Sequence, residues 1–368
     1  MQHASPEAGS ARCSHLRVKY GVAFGGAPEQ TARMTDSGPD VPSIVERTRI
    51  VSAGVPVVAL HFLDRTAVFV LGEGALLWVA KDDTRHRAVI HEGAILAAAT
   101  DEKRIITGGD DGKVVISSAA SDSVVFVQDA RHRWIDHVAA GPKGAVAWSA
   151  GKQAFARSGN ADDHMLDAPS TVGGLAFAPK GFRLAVAHYN GATLWYPNAR
   201  EAAPERLEWK GSHLGVSFSP DGRFLVTMMQ EPMLHGWRLA DRKDMRMSGY
   251  GARVRSLDWT SAGKWLATSG STQLVLWPFQ SNEGPMGKTP RLLAPNEAHV
   301  EVVACHPQQE VAAVGYANGL VLIVRLDDGA EILARKPAGA PVTALAWNAD
   351  GKMLGFGTED GEGGIIDV

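Results

Sequence analysis

An all-β ring of repeated four-stranded units is predicted by three observations. A frame of one β-branched residue, two variable positions and an aliphatic residue recurs about every forty positions. Turn dipeptides cut each recurrence into strand-length runs, and no stretch carries a helical apolar period. Four short strands per roughly forty residues is the arithmetic of a β-propeller blade.

The frame is clearest at Val57-x-x-Leu60-x-Phe62, Val172-x-x-Leu175-x-Phe177, Val254-x-x-Leu257-x-Trp259 and Val342-x-x-Leu345-x-Trp347. Looser copies place Ile95 with Ala98, Ile135 with Val138, His213 with Val216 and Phe218, and Val300 with Val303 and Cys305. The aliphatic anchors therefore fall at 60, 98, 138, 175, 216, 257, 303 and 345, with one long interval between 257 and 303. Each aromatic is followed by a turn, best formed at Ser219-Pro220-Asp221-Gly222, where Pro presets φ and Gly supplies φ > 0. A second strand follows, such as Arg183–Ala187 or Trp265–Ser269, and then a hairpin signal such as Asp111-Gly112, Asn190-Gly191, Asn318-Gly319 or Asp360-Gly361. A third strand often ends in tryptophan, at Trp78, Trp195, Trp237 and Trp277. The fourth is shorter and more polar, as in Arg291-Leu292-Leu293 and Glu331-Ile332-Leu333-Ala334.

The repeat resembles the WD40 family over roughly Glu46–Val368, with Val216-Ser217-Phe218-Ser219-Pro220-Asp221-Gly222 as its best motif. The copies are degenerate. No unit carries the Trp-Asp dipeptide, because the four terminal tryptophans precede Val79, Tyr196, Arg238 and Pro278. The family's network of His, Ser/Thr, Asp and Trp is complete in no unit; the second has His91, Thr107 and Asp110 or Asp111, but Ser117 where Trp would stand. Cohesion between units is therefore expected to lean on apolar contacts more than on that network.

The last unit ends after its third strand, Gly364–Val368, and Arg47–Val51 is placed to supply the fourth, a clasp that would remove an open sheet edge. Eight blades are expected, at about 40 residues each over 46–368; the alternative, seven, would need about 46. Residues 1–45 read as a disordered tail. Residues 1–33 lack any periodic pattern, and Met34, followed by the polar run TDSGPDVPS, is a candidate true start.

Composition bounds the function. Hydrophobic residues at 45% and charged residues at 21% are globular proportions. Lys plus Arg is 37 against 40 for Asp plus Glu, a net charge of −3, which offers no general attraction to nucleic acid or an anionic membrane. Cys13 and Cys305 are the only cysteines, so no structural disulfide is expected and a reducing, cytoplasmic setting fits. The longest apolar run without a charge, Val311–Val324, is shorter than the ~20 residues of a membrane span. No secretory apolar run opens the chain.

Chemistry is sparse. Phosphate-loop, zinc-protease and nucleophile-elbow motifs are missing, so no enzyme activity and no cofactor are expected. His132 with His137, and His86 with His91, lack thiol partners and His-x-His spacing; they read as structural or solvated rather than metal ligands. Cys305, standing where other units place an aromatic, reads as a small core residue. In the propellers this repeat resembles, the first strand of each unit lines the channel and starts at the face where partners commonly dock. At those starts charge and aromatic character gather in units three, six and seven: Trp134 and Asp136, Arg253 and Arg255, His299 and Glu301. The six are candidate partner-binding residues; in the alternative reading Arg255 and Glu301 merely pair with each other. The expected function is a monomeric, non-enzymatic docking scaffold for another protein. The alternative is a propeller that binds a small ligand or metal in its channel as accessory to an enzyme.

Overall fold

Left-handed backbone stands where the turn dipeptides predict it: φ is 75° at Gly222 and 66° at Asn190. Between such turns the residues are mostly β-branched or aliphatic, and in the middle strands they are buried in continuous runs, so they extend and pair with their sequence neighbours. The computed structural model describes residues 41–159, 161–199 and 202–368, and among them the only helical turns are the 3₁₀ segments Val45–Arg47 and Pro142–Gly144. The readings of residues 1–33 as a tail and of Met34 as a start lie outside the described residues.

The first unit shows the pattern. Val57–Leu63, Thr66–Leu71, Ala75–Val79 and Arg85–Val89 pair antiparallel in chain order, from the channel outward. The inner three are almost wholly buried, while Arg85–Val89 is mostly exposed. In the other units too the longest buried run lies in the second or third strand, because a blade's middle strands have a neighbouring sheet on both faces.

Hydrogen bonding divides the ring into seven continuous sheets, six of four strands and one of six. The six-stranded sheet modifies the expectation of eight separate blades, and the reason is local. Leu184–Trp195 contains its own hairpin corner at Asn190-Gly191, and Glu205–Phe218 runs from the outer edge of the fourth unit into the inner strand of the fifth, with only Gly211, φ 117°, at the corner. These corners are too tight to interrupt the strands, so two repeats share one sheet. Apolar packing still resolves eight repeat units. Eight buried clusters each lie between consecutive units, including Leu60, Phe69 and Ile365 between the last and first.

Closure is as expected: Thr48–Ser52 pairs antiparallel with Glu362–Asp367, from Thr48 opposite Ile366 to Ser52 opposite Glu362. Part of the segment assigned to the tail is packed. Ile44 is buried, donates its N–H to the Leu333 carbonyl at 2.9 Å, and follows Ser43, which bridges Leu333 in parallel. The long interval before unit seven is also explained. Its extra residues after Pro278 pack on units five and six, burying Phe279 edge-on to Phe224 and Trp259 at 5.2 and 4.7 Å between centroids.

Polar groups add to the apolar layers. In unit two His91 Nε2 meets Thr107 Oγ1 at 2.8 Å and Nδ1 meets Asp111, not Asp110, at 3.0 Å. Unit six carries a relay with tyrosine in place of histidine: Trp277 Nε1–H donates to Tyr250 Oη at 2.7 Å, and Tyr250 shares a 2.8 Å hydrogen bond with Thr268. Other bonds cross between units at the channel. Val303 N–H donates to Ser256 Oγ at 3.1 Å, Cys305 N–H to Asp258 Oδ2 at 2.7 Å, and Trp259 Nε1–H to Ser217 Oγ at 3.0 Å. Cohesion thus has a polar component that the family network alone does not reveal.

Two outcomes follow. Thr107→Val leaves His91 Nε2 buried without a partner and is expected to cost about 1–3 kcal/mol in urea unfolding. Burial pushes the Asp258 carboxyl from 3.8 up to about 6, despite the N–H bonds from Cys305 and Trp259. Folding therefore takes up a proton, so this group's contribution is full below about pH 4 and is lost as pH rises through about 6. Relative to Asp258→Asn, the wild type is expected to lose on the order of 2 kcal/mol between pH 4 and 7, measured by denaturant unfolding across pH.

Candidate functional site at the channel mouth

The six candidate residues fall in three pairs, each straddling a buried residue. Ile135, Val254 and Val300 are buried in the apolar layers, while the residues that flank each, Trp134 and Asp136, Arg253 and Arg255, and His299 and Glu301, are half-buried or exposed; the first two sets lie in the segments that lead into the inner strands His137–Ala140 and Leu257–Trp259, and Val300 opens its own strand. Trp134 is 61% exposed, unusual for so large an apolar side chain. Its loop is held by Arg133, whose guanidinium binds the Asp129 carboxylate at 2.7 Å and Gln153 at 2.7 Å. Burial disfavours the charge on Asp129, but the hydrogen bonds from Arg133 and nearby backbone prevail and keep its pKa below the ordinary value.

Units six and seven bring Arg255 and Glu301 together at 3.4 Å, the pairing the sequence offers as an alternative to a partner site. The Arg255 side chain is 64% exposed and that of Glu301 26%, so water screens the pair and it contributes at most about 1 kcal/mol. Much of the Arg255 surface remains open. Arg253 turns toward unit five, donating to Gln230 Oε1 at 3.1 Å. His299 Nδ1 is buried with no hydrogen-bond partner among the described residues. Trp134 and Asp136 make no hydrogen bond or ion pair with the other four among the described residues; the Asp136 N–H donates to Ser149 O.

Arg255 and Glu301 line a cavity of about 620 Å³ with Pro56, Val58, Thr343 and Glu359, where the inner strands of units one, six, seven and eight converge. Glu359 and Gln230 escape sequence reasoning. Both lie in turns after second strands, so spacing from the first-strand anchor does not reach them. A second polar cavity of about 530 Å³, lined by exposed Tyr189 with Arg206, Trp209 and Lys210, opens beside the corners that join units four and five.

The other chemical candidates have structural places. Trp78, Trp195, Trp237 and Trp277 are buried between units, and His86 packs against Trp78 at 5.6 Å. Cys305 is free and buried, and burial pushes its thiol pKa well up. Burial also lowers the His137 pKa. Among the described residues no group of three His, Cys, Asp or Glu side chains is arranged to hold a metal, and no helix is long and apolar enough to cross a membrane.

Two family models match parts of the sequence: the WD domain, G-beta repeat, at residues 243–278, and the anaphase-promoting complex subunit 4 WD40 domain, at residues 303–368. No curated protein matches the sequence. Among solved structures, the computationally designed Ika8 protein superposes with a TM-score of 0.66 at 14% identity, covering 86% of this chain and 98% of that one. U3-55K matches with a TM-score of 0.57 at 13% identity, covering 89% of this chain and 100% of that one. The RRP9 WD40 repeats match with a TM-score of 0.57 at 13% identity, over 89% and 99% of the two chains. At such identities the likeness speaks to fold. With the forty-residue repeat, the antiparallel sheets of the ring and the clasp, it makes the fold a β-propeller, two segments of which, residues 243–278 and 303–368, match WD40 models.

Proposed function

We propose that the propeller is a non-enzymatic docking platform whose channel-mouth face binds another protein through Trp134, Asp136, Arg253, Arg255, His299 and Glu301. WD40 propellers typically bind other proteins, and one matching family model is named for a subunit of a multiprotein complex. The observation that carries the reading is the exposure of Trp134 and of both arginines in the segments that lead into inner strands, around the buried Ile135 and Val254. Such a frame presents anchor side chains from rigid backbone, which limits the entropy lost when a partner covers them. Arg and Trp are the residue types that concentrate binding energy when desolvated, each about 2 kcal/mol or more at a hot spot. Glu301 and Glu359 beside Arg255 give the mouth mixed charge, which favours a partner of complementary pattern over a uniformly anionic polymer.

The test is a pull-down with the full chain followed by mass spectrometry. The Arg253→Ala, Trp134→Ala double variant is expected to keep its fold, since both side chains are exposed, and to lose the principal partner recovered by the wild type. Recovery of every wild-type partner by the folded double variant would count against the site.

A further inference from the structure

The outer strands of the ring differ in how their free edges are protected. In seven of the eight units the outer strand carries at least one charged side chain, as in Arg85–Val89, Lys243–Met247, Glu331–Arg335 and the clasp Thr48–Ser52. Such charges discourage another strand from adding to the edge. Ser123–Gln128 in unit two, with sequence SVVFVQ, carries none. It pairs with Lys113–Ser118 on one side and, among the described residues, with no strand on the other. Val124 and Val125 are 66% and 52% exposed, although neighbouring residues point to opposite faces of a strand. Both faces of this edge are therefore apolar and open.

A groove adjoins it. An irregularity in the pairing with Lys113–Ser118 accompanies an edge-on contact of Phe126 with Trp148 of unit three at 6.0 Å, and the Arg157 guanidinium covers Phe126 at 4.4 Å. Between the two units lies a cavity of about 750 Å³ with an apolar floor of Ile116, Val124 and Phe126. Its charged lining is three cations, Lys103, Arg104 and Arg157, against one carboxylate, Asp122. Arg104 and Arg157 also pair with Asp101 and Asp163, whereas Lys103 has no ion pair among the described residues. The ring itself shows that an outer edge can accept more chain. At unit seven Leu333 accepts from the Ile44 N–H at 2.9 Å and donates to the Pro42 carbonyl at 2.8 Å.

We propose that the Ser123–Gln128 edge is a second docking site, which takes an extended segment of a partner protein, apolar side chains alternating with acidic ones, as an added strand. Backbone hydrogen bonds hold such a segment, alternate side chains enter the apolar groove, and its carboxylates face Lys103 and Arg104. Charge selects this occupant over a second copy of the chain, whose own groove brings the same cations. The site is separate from the channel mouth.

Labelled peptides of about ten residues, alternating valine with glutamate, serine or lysine, are titrated against the full chain by fluorescence polarisation. The glutamate peptide is expected to bind at least about tenfold tighter than the lysine peptide, and to lose at least about tenfold in Val124→Glu and in Lys103→Glu. Val89→Glu, on the exposed outer strand of unit one, is expected to change nothing, with circular dichroism showing all variants folded. Equal affinity for the glutamate and lysine peptides, no binding by any peptide, or undiminished binding to Val124→Glu overturns the proposal. So does a wild-type dimer, seen by light scattering, that Val124→Glu dissociates, since a second copy then fills the groove. A requirement to remove residues 1–40 before peptides bind overturns it too, since the chain then fills its own groove. The Arg253→Ala, Trp134→Ala variant is expected to bind the peptides normally, so either site can fail without the other.

Discussion

Burial of both faces of every sheet against its neighbours is the constraint on which the rest of this structure depends. A lone four-stranded unit with residues such as Phe69, Phe224 or Phe356 on its faces has no way to keep them from water. Around the ring each unit supplies half of two apolar layers, and the layer of Leu60, Phe69 and Ile365 closes the last gap between the first and last units. Only a closed ring satisfies all layers at once. The inner strands are then fixed in place, and with them the buried Ile135, Val254 and Val300 beside which Trp134, Arg253 and Glu301 stand.

The fold was legible because its strongest signals are local. Val57-x-x-Leu60-x-Phe62 and its copies mark the inner strands, and Asn190-Gly191 or Asp221-Gly222 mark corners whose backbone few other residues adopt easily. The sheet shared by units four and five was not legible, since nothing in the residues around Gly211 tells a tight corner from a short loop. The relay of Tyr250, Thr268 and Trp277 was hidden for a different reason. Tyrosine replaces the expected histidine, and a phenolic oxygen does the same hydrogen-bonding work from another side chain.

Of the candidate site, alternation around Ile135, Val254 and Val300 could be read from the frame, and so could the meeting of Arg255 with Glu301. Which backbone donors reach Ser256 and Asp258 depends on the stagger between neighbouring inner strands, a property of the closed ring rather than of either repeat. For the same reason Gln230 and Glu359 reach Arg253 and the cavity at Arg255 only in the closed ring. The channel wall is tied across its seams by polar side chains, so the mouth is a preorganised surface and not a set of independent loops.

The clasp has a consequence for how the chain reaches this state. Thr48–Ser52 leaves the ribosome before any unit exists, yet its partner Glu362–Asp367 is made only after every other strand of the ring, with Thr48 finally opposite Ile366. Val51, fully buried in the ring, must therefore wait until the eighth unit has been synthesised. Closing so long a loop is slow, and contacts of this separation form late. Completion of the ring thus waits on its last unit. Until it happens the first and last units both present open apolar faces, and the nascent protein is most in need of chaperone protection in that interval.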